Sequence, residues 1–392
     1  MNGAAEAAND EDNRSDNQKG ETKNERDTEQ IHAVVPNVTG NVTVPSAEPD
    51  LSPAAASGYP DDMGLVDRFG RVHTDLRISV TDRCNFRCQY CMPEEGMEWL
   101  NRHDLLSFEE IERIAKVLVE HAGVRSIRLT GGEPTVRARL PILVEKLAAL
   151  DIALAMTTNG ATLALLAHDL KAAGLDRLNI SLDTLDHDRF FELTRRTELS
   201  NVLEGIDAAV DAGFSPVKVN AVLMNGINDD EVLDFLEMGR RKGINVRFIE
   251  FMPLDAQGEW SNDRVVTYAE ILEKAAEHFD FEPVTRGSSP AERFRYTDDG
   301  YAEGGGEFGI IASVTEPFCE SCDRMRLSAE GQLRNCLFAL RHVDLRDLLR
   351  NGGSDEDLLN AIAGEVKEKW AGHSINQVHF IKPSKGMSEL GG

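Results

Sequence analysis

Nowhere along its 392 residues does this sequence hold an uninterrupted apolar run of membrane-spanning length. Its opening stretch, MNGAAEAANDEDNRSDNQKG, has no apolar core of the kind a secretory signal needs. These two absences predict a soluble, cytoplasmic protein without a membrane partner. Positive charge is scarce too: 42 Lys and Arg face 68 Asp and Glu, a formal net charge of −26. Nucleic acids and anionic membrane surfaces repel such a chain at long range, which excludes a general binder of either. An anionic ligand must therefore meet a pocket whose local charge opposes that of the whole. Cysteine is rare as well, with six in all, and a reducing cytosol does not preserve structural disulfides. The six fall into two groups of three, a pattern of metal or redox ligation.

With 41% hydrophobic residues the chain has enough apolar surface for a sizeable core. Residues 1–60 are an exception. They carry eleven acidic and four basic residues, and Tyr59 is their only aromatic. Too little surface is available there to offset ordering entropy, so a disordered acidic extension is expected. From about residue 73, short β-rich runs alternate with helix-like segments. The runs are LRISV (76–80), SIRLT (126–130), IALAMT (152–157), RLNISL (177–182), VKVNAVL (217–223) and INVRFIEF (244–251). Ser107 and Glu110 form a capping-box pattern, followed by Ile111, Ile114, Ala115 and Leu118 at helical spacing. Six β-α units in succession predict a parallel sheet with helices outside, doubly wound or curved into a barrel.

Unusual turn chemistry gathers at the C-terminal ends of the runs: TDRCNFRCQYC, GGEP (131–134), TNG (158–160), SLD (181–183), NGINDD (225–230) and FMP (251–253). In barrels and open α/β sheets that edge is the ligand edge. After a helix opened by Thr267 and Glu270, the pattern changes near residue 280 to Gly-rich strand-like pieces such as GEFGIIASV (306–314), and this region carries the second cysteine group. Helical segments around 344–370 and a loop-like tail ending in Gly391-Gly392 follow.

Cys84, Cys88 and Cys91 share one loop at that edge. A structural zinc site with a fourth ligand from elsewhere is one reading. A four-iron cluster with three protein thiolates and one open iron is the other. The same alternatives stand for Cys319, Cys322 and Cys336. In CDRMRLS, strand alternation would turn Cys322, Arg324 and Arg326 to one face, and two arginine forks there would make an anion clamp.

The CxxxCxxC motif with Tyr90 before its last cysteine, together with GGEP, resembles the radical S-adenosylmethionine enzymes from about residue 73 to 253. Adding CxxCxRxRL, a third cysteine after thirteen intervening residues, RLTGGEPTVR, GINDDE and the terminal Gly-Gly, the chain from roughly 66 to 392 is similar to the GTP 3′,8-cyclase family. That resemblance implies an α/β fold: a partial (β/α)6 TIM-like barrel at 61–275, a smaller auxiliary [4Fe-4S] cluster domain at 276–340, and a helical segment with the Gly-Gly tail at 341–392. It implies two [4Fe-4S] clusters on Cys84, Cys88 and Cys91 and on Cys319, Cys322 and Cys336. S-Adenosylmethionine would be contacted by Tyr90, Gly132, Ser181 and Met252. GTP would be held by Arg77, Arg128, Thr157, Lys218, Arg247, Arg324 and Arg326, with Arg324, Arg326, Gly391 and Gly392 in the catalytic machinery.

The implied reaction converts GTP to 3′,8-cyclo-7,8-dihydro-GTP through a 5′-deoxyadenosyl radical, the first step of molybdenum cofactor biosynthesis. A homodimer, an external reductant and a pathway link to cyclic pyranopterin monophosphate synthase are further implications. Several relatives carry lysine where this chain has Ser126, which leaves one phosphate contact open. Two rival classes are a radical enzyme acting on a peptide and a non-catalytic zinc or iron–sulfur protein. The RxR pair argues against the first.

Overall fold

A computed structural model describes residues 64–93, 97–256, 258, 260–286, 289–375, 377, 380–383 and 385–391. The expectation for residues 1–60, and the role assigned to Gly392, lie outside the described residues. Among the described residues no helix is long and apolar enough to cross a membrane.

Six strands follow one another in sequence and in space: β1 (Asp75–Ser79), β2 (Ser126–Thr130), β3 (Ala153–Thr158), β4 (Arg177–Ser181), β5 (Val217–Leu223) and β6 (Ile244–Glu250). All are parallel, and they lie within one residue of the expected runs at either end. Their connections carry α1 (Phe108–Ala122), α2 (Leu140–Ala148), α3 (Ala167–Ala172), α4 (His187–Thr194), α5 (Leu199–Asp211) and α6 (Val232–Lys242), with α7 (Tyr268–Ala276) after β6. The capping box forms at α1: Glu110 N–H donates to Ser107 Oγ at 3.1 Å, and Ser107 N–H donates to the Glu110 carboxylate at 2.7 Å. Ile111, Ile114, Ala115 and Leu118 are its buried face.

Strand alternation sorts the two sides of the sheet. In β5, Val217, Val219, Ala221 and Leu223 are buried in the apolar core, while Lys218, Asn220 and Val222 face a cavity. β6 repeats the pattern, with Ile244, Val246 and Phe248 in the core and Asn245, Arg247 and Ile249 on the cavity. Arg77 of β1 and Arg247 of β6 line the same cavity, so the sheet curves around it.

The later strands β7 (Phe281–Val284), β8 (Glu292–Tyr296), β9 (Glu307–Ile311), β10 (Arg324–Leu327), β11 (Gln332–Arg334) and β12 (Val343–Asp344) extend this sheet. Its order is β12-β11-β10-β1-β2-β3-β4-β5-β6-β9-β8-β7, open at both ends. The chain leaving β6 thus adds β9 beside it, then crosses to place β10 in parallel beside β1. Glu250, fully buried at the end of β6, organises the departure: its carboxylate accepts N–H groups from Tyr268 (3.0 Å), Val314 (2.7 Å) and Thr315 (2.8 Å). The C-terminal part adds α8 (Leu345–Arg350), α9 (Asp355–Lys367) and, in the tail expected to be loop, one helical turn, α10 (Met387–Leu390).

Candidate active site

The loop after β1 is held open by its neighbours. Arg87 N–H and Gln89 N–H donate to the carbonyls of Thr194 and Leu193, at 3.0 and 2.9 Å, at the end of α4. Arg195 and Arg196 reach back to the carbonyls of Arg87 (3.0 Å) and Asn85 (2.7 Å). Phe86 packs edge-on against Phe190, with ring centroids 5.6 Å apart. Cys84, Cys88 and Cys91 are half-buried free thiols in this frame. Phe86 N–H donates to Cys84 Sγ at 3.3 Å, and Ser388 of α10 donates to Met97 Sδ at 3.5 Å. Burial pushes the Cys84 thiol up to about 11 and Cys91 up to about 12, and the nearby Arg87 offsets only part of the effect at Cys84.

The turn after β2 locks onto that loop. Gly132 N–H donates to Thr81 O and Glu133 N–H to Arg83 O, both at 2.8 Å. Gly131 takes φ +149°. Gly132 is required for space, since a Cβ there would overlap the Arg83 and Asp82 carbonyls. Buried Glu133 accepts Thr135 Oγ1 (2.6 Å), Thr158 Oγ1 (2.7 Å) and Asn159 N–H (2.6 Å). Asn159 Nδ2 in turn donates to Asn85 at 2.8 Å. Tyr90 donates its hydroxyl to Asp183 at 2.7 Å.

Inside the curved sheet lies a cavity of about 920 Å³. All seven residues expected to hold GTP line it: Arg77, Arg128, Thr157, Lys218, Arg247, Arg324 and Arg326. Met252 and the thiols Cys319, Cys322 and Cys336 line it too, whereas Cys84, Cys88, Cys91, Tyr90, Gly132, Ser181 and Gly391 are not among its described lining residues. Nine lining residues are Arg or Lys, against three carboxylates, Asp75, Glu307 and Asp323. Strand register orders the cations into rows. Arg326, Arg77 and Arg128 are direct neighbours on β10, β1 and β2. One step towards the β1 entrance, Arg324, Asp75 and Ser126 form the next row, where Ser126 Oγ donates to Asp75 Oδ2 at 2.8 Å. Arg77 Nε lies 3.8 Å from Asp75 Oδ1 without a hydrogen bond, so this carboxylate offsets only part of the charge.

Arg324 and Arg326 do share a face with Cys322. Arg324 donates to Cys322 Sγ at 3.3 Å and stacks on Phe318 at 4.7 Å. Burial opposes ionisation of Cys322, but Arg324 and Lys369 outweigh it and pull the thiol down to about 7. Arg326, nearly fully buried, donates to the carbonyls of Gly391 and Leu390. Leu390 and Gly391 therefore lie beside one of the cavity's cations.

Several residues of the site have no motif. Lys369, just past α9, donates to Cys322 O (3.1 Å) and Arg324 O (2.9 Å), and nothing local marks it. Arg177 and Asn179 also line the cavity; the period-two pattern of RLNISL, applied as it was to Arg247, finds both. Among the described residues no three His, Cys, Asp or Glu side chains are grouped to hold one metal ion.

A curved parallel sheet bearing three thiols on the loop after its first strand defines a radical S-adenosylmethionine protein, and a family model described as Radical SAM superfamily matches residues 78–239. A second, Molybdenum Cofactor Synthesis C, matches residues 244–375. The chain belongs to the GTP 3′,8-cyclase family. It is 47% identical to a GTP 3′,8-cyclase of Corynebacterium glutamicum over 84% of this chain and 89% of that protein. It is 48% identical to one of Streptomyces coelicolor, over 84% and 96% respectively. The crystal structure of Streptococcus suis SuiB bound to S-adenosylmethionine shares the fold alone: TM-score 0.55, 16% identity, 83% of this chain and 78% of that one.

Membership implies one [4Fe-4S] cluster and S-adenosylmethionine. The residues fit such a group: Cys84, Cys88 and Cys91 form an all-thiol donor set on one loop, anchored by the end of α4 and the Gly131-Gly132 turn, where burial disfavours thiolate charge that no metal centre balances.

Proposed function

We propose that this chain is a GTP 3′,8-cyclase, converting GTP to 3′,8-cyclo-7,8-dihydro-GTP in the first step of molybdenum cofactor biosynthesis. The observation that supports it most is the concentration of nine cations around one cavity in a chain of net charge −26. Cys84, Cys88 and Cys91 would hold the cluster, which with S-adenosylmethionine would supply the 5′-deoxyadenosyl radical chemistry that starts ring closure between the ribose 3′ position and C8 of guanine. Tyr90, Gly132, Ser181 and Met252 are assigned to that cofactor. Cys319, Cys322 and Cys336, which line the cavity, would hold a second [4Fe-4S] cluster.

The chain's own residues do the rest. Arg77, Arg128, Lys218 and Arg247 neutralise the triphosphate, and Thr157 offers a hydroxyl between them. Arg324 and Arg326, held by Cys322 and by the tail, fix the nucleotide against the C-terminal cysteines. The enclosing sheet excludes water from radical chemistry and orients C3′ towards C8. Residues 61–275 would form the radical barrel, 276–340 the auxiliary-cluster region and 341–392 the helical segment with its tail. A homodimer, an external reductant and hand-over to cyclic pyranopterin monophosphate synthase complete the reading.

The test is anaerobic: reconstitute the protein, add S-adenosylmethionine and a strong reductant, and quantify 5′-deoxyadenosine with GTP, with ATP and without nucleotide. A GTP-dependent rise that disappears in Cys84→Ala is expected. Cleavage indifferent to nucleotide would overturn the GTP assignment.

Lys218 adds a pH prediction. Burial, then the charges of Arg247, Arg177, Arg128 and Arg293, push its ammonium down to about 7. A bound triphosphate favours the protonated form and raises that value. GTP affinity is therefore expected to be full below about pH 7 and to fall as pH rises above it, with protons taken up on binding near pH 8. Calorimetry in two buffers of different ionisation enthalpy reads the uptake; binding without proton exchange near pH 8 rules it out.

A further inference from the structure

Arg177 opens β4, and it extends a row already built from cations. Across the sheet, Arg326 pairs with Arg77, Arg77 with Arg128, Arg128 with Ala155 of β3, and Ala155 with Arg177. Ala155 is buried and contributes only a methyl group, so Arg128 and Arg177 flank a gap two strand spacings wide, roughly 10 Å between backbones. Both side chains line the cavity. Arg177 makes no ion pair or side-chain hydrogen bond among the described residues, unlike Arg293, which is paired with Glu307 at 2.6 Å, and Arg286, which is paired with Glu292.

Position along the strand says which part of a ligand it meets. Ser181, four residues on, ends β4 at the rim of the cysteine loop, about 13 Å further up. If the ribose reacts near that rim, phosphates that run down the cavity meet Arg177 at the strand entrances. Arg128, Lys218 and Arg247 all feel its repulsion, and a polyanion among them relieves it.

We propose that Arg177 is a further substrate-binding residue, which grips the outer phosphates of GTP across the gap from Arg128 and so selects triphosphates over shorter nucleotides. The inference rests on the GTP reading above. Charge-assisted hydrogen bonds of this kind correspond to about a tenfold to hundredfold change in affinity.

Equilibrium binding of GTP, GDP and guanosine to the reconstituted protein tests it, with Arg177→Ala, Arg177→Gln and Arg177→Lys compared at equal iron content. Arg177→Ala and Arg177→Gln are expected to weaken GTP about tenfold or more, to narrow the preference for GTP over GDP, and to leave guanosine binding as in the unaltered protein. Arg177→Lys should recover part of the loss. Unchanged GTP affinity in both neutral variants overturns the proposal, and so does an equal loss for GTP and guanosine, which would mark a structural role. Failure of the GTP reading itself looks different: the unaltered protein would then bind guanosine as tightly as GTP.

Discussion

Replacing Gly391 with alanine is expected to lower cyclisation of GTP roughly a hundredfold, the scale at which a misplacement of about 1 Å is felt in a reacting complex. Gly391 has φ +66° and ψ +133°, a combination closed to most L-residues. A Cβ there would overlap the Thr130 side chain at the end of β2. To relieve both problems the tail must withdraw from β2, and its carbonyls then leave Arg326. That guanidinium is buried, and its neighbours Arg77 and Arg324 repel it. Losing the Gly391 and Leu390 carbonyls removes two acceptors that hold it in place. None of the six cysteine backbones needs to move, so iron content should stay at its unaltered level. Deleting Gly391 and Gly392 together should abolish cyclisation in the same way. Product formation and iron per chain, measured on one preparation, decide it; full activity in either variant refutes the argument.

The second large effect concerns Gly132. Its backbone presses on the cysteine loop so closely that alanine would drive its Cβ into the carbonyls of Asp82 and Arg83. These are backbone atoms, so no side-chain rotation relieves the overlap, and the loop or the turn must shift. The hydrogen bonds from Gly132 to Thr81 and from Glu133 to Arg83 break with that shift. Cys84 directly follows Arg83, so Gly132→Ala is expected to lose the iron carried by the first trio, about half of the total if both trios load. Cleavage of S-adenosylmethionine should vanish with it. Iron and sulfide assays after anaerobic reconstitution measure the loss. Wild-type iron with wild-type cleavage would show that the turn yields without disturbing the loop.

Much of this site was legible in the chain. Arg77, Arg128, Lys218 and Arg247 stand out as charges within apolar runs, and strand alternation turns all four to the side opposite their immediate apolar neighbours. Glu110 and Glu270 announce helix starts because a capping box is complete within four residues. The Gly-Gly turn was legible as an event, but its reason was not. Gly131 answers to positive φ and to the Thr81 carbonyl, and Gly132 to the Asp82 and Arg83 carbonyls, all of which lie on another strand's loop. Arg177 could have been found by the alternation that exposed Arg247. Lys369 could not, because its partners Cys322 and Arg324 are more than forty residues away.

The sequence by itself determined the parallel β-α order, the two thiol trios and the cations set within apolar strands, since each is written in spacing, periodicity or charge within a short window. Only the tertiary structure decided that β10 lies beside β1 and brings Arg326 next to Arg77. It also decided that the tail caps that arginine and that Glu133 ties the turn after β2 to the end of β3. Those contacts join segments far apart in the chain. Their pairing depends on how the backbone returns to the open edge of a curved sheet, where unpaired N–H and C=O groups take whichever strand closes on them.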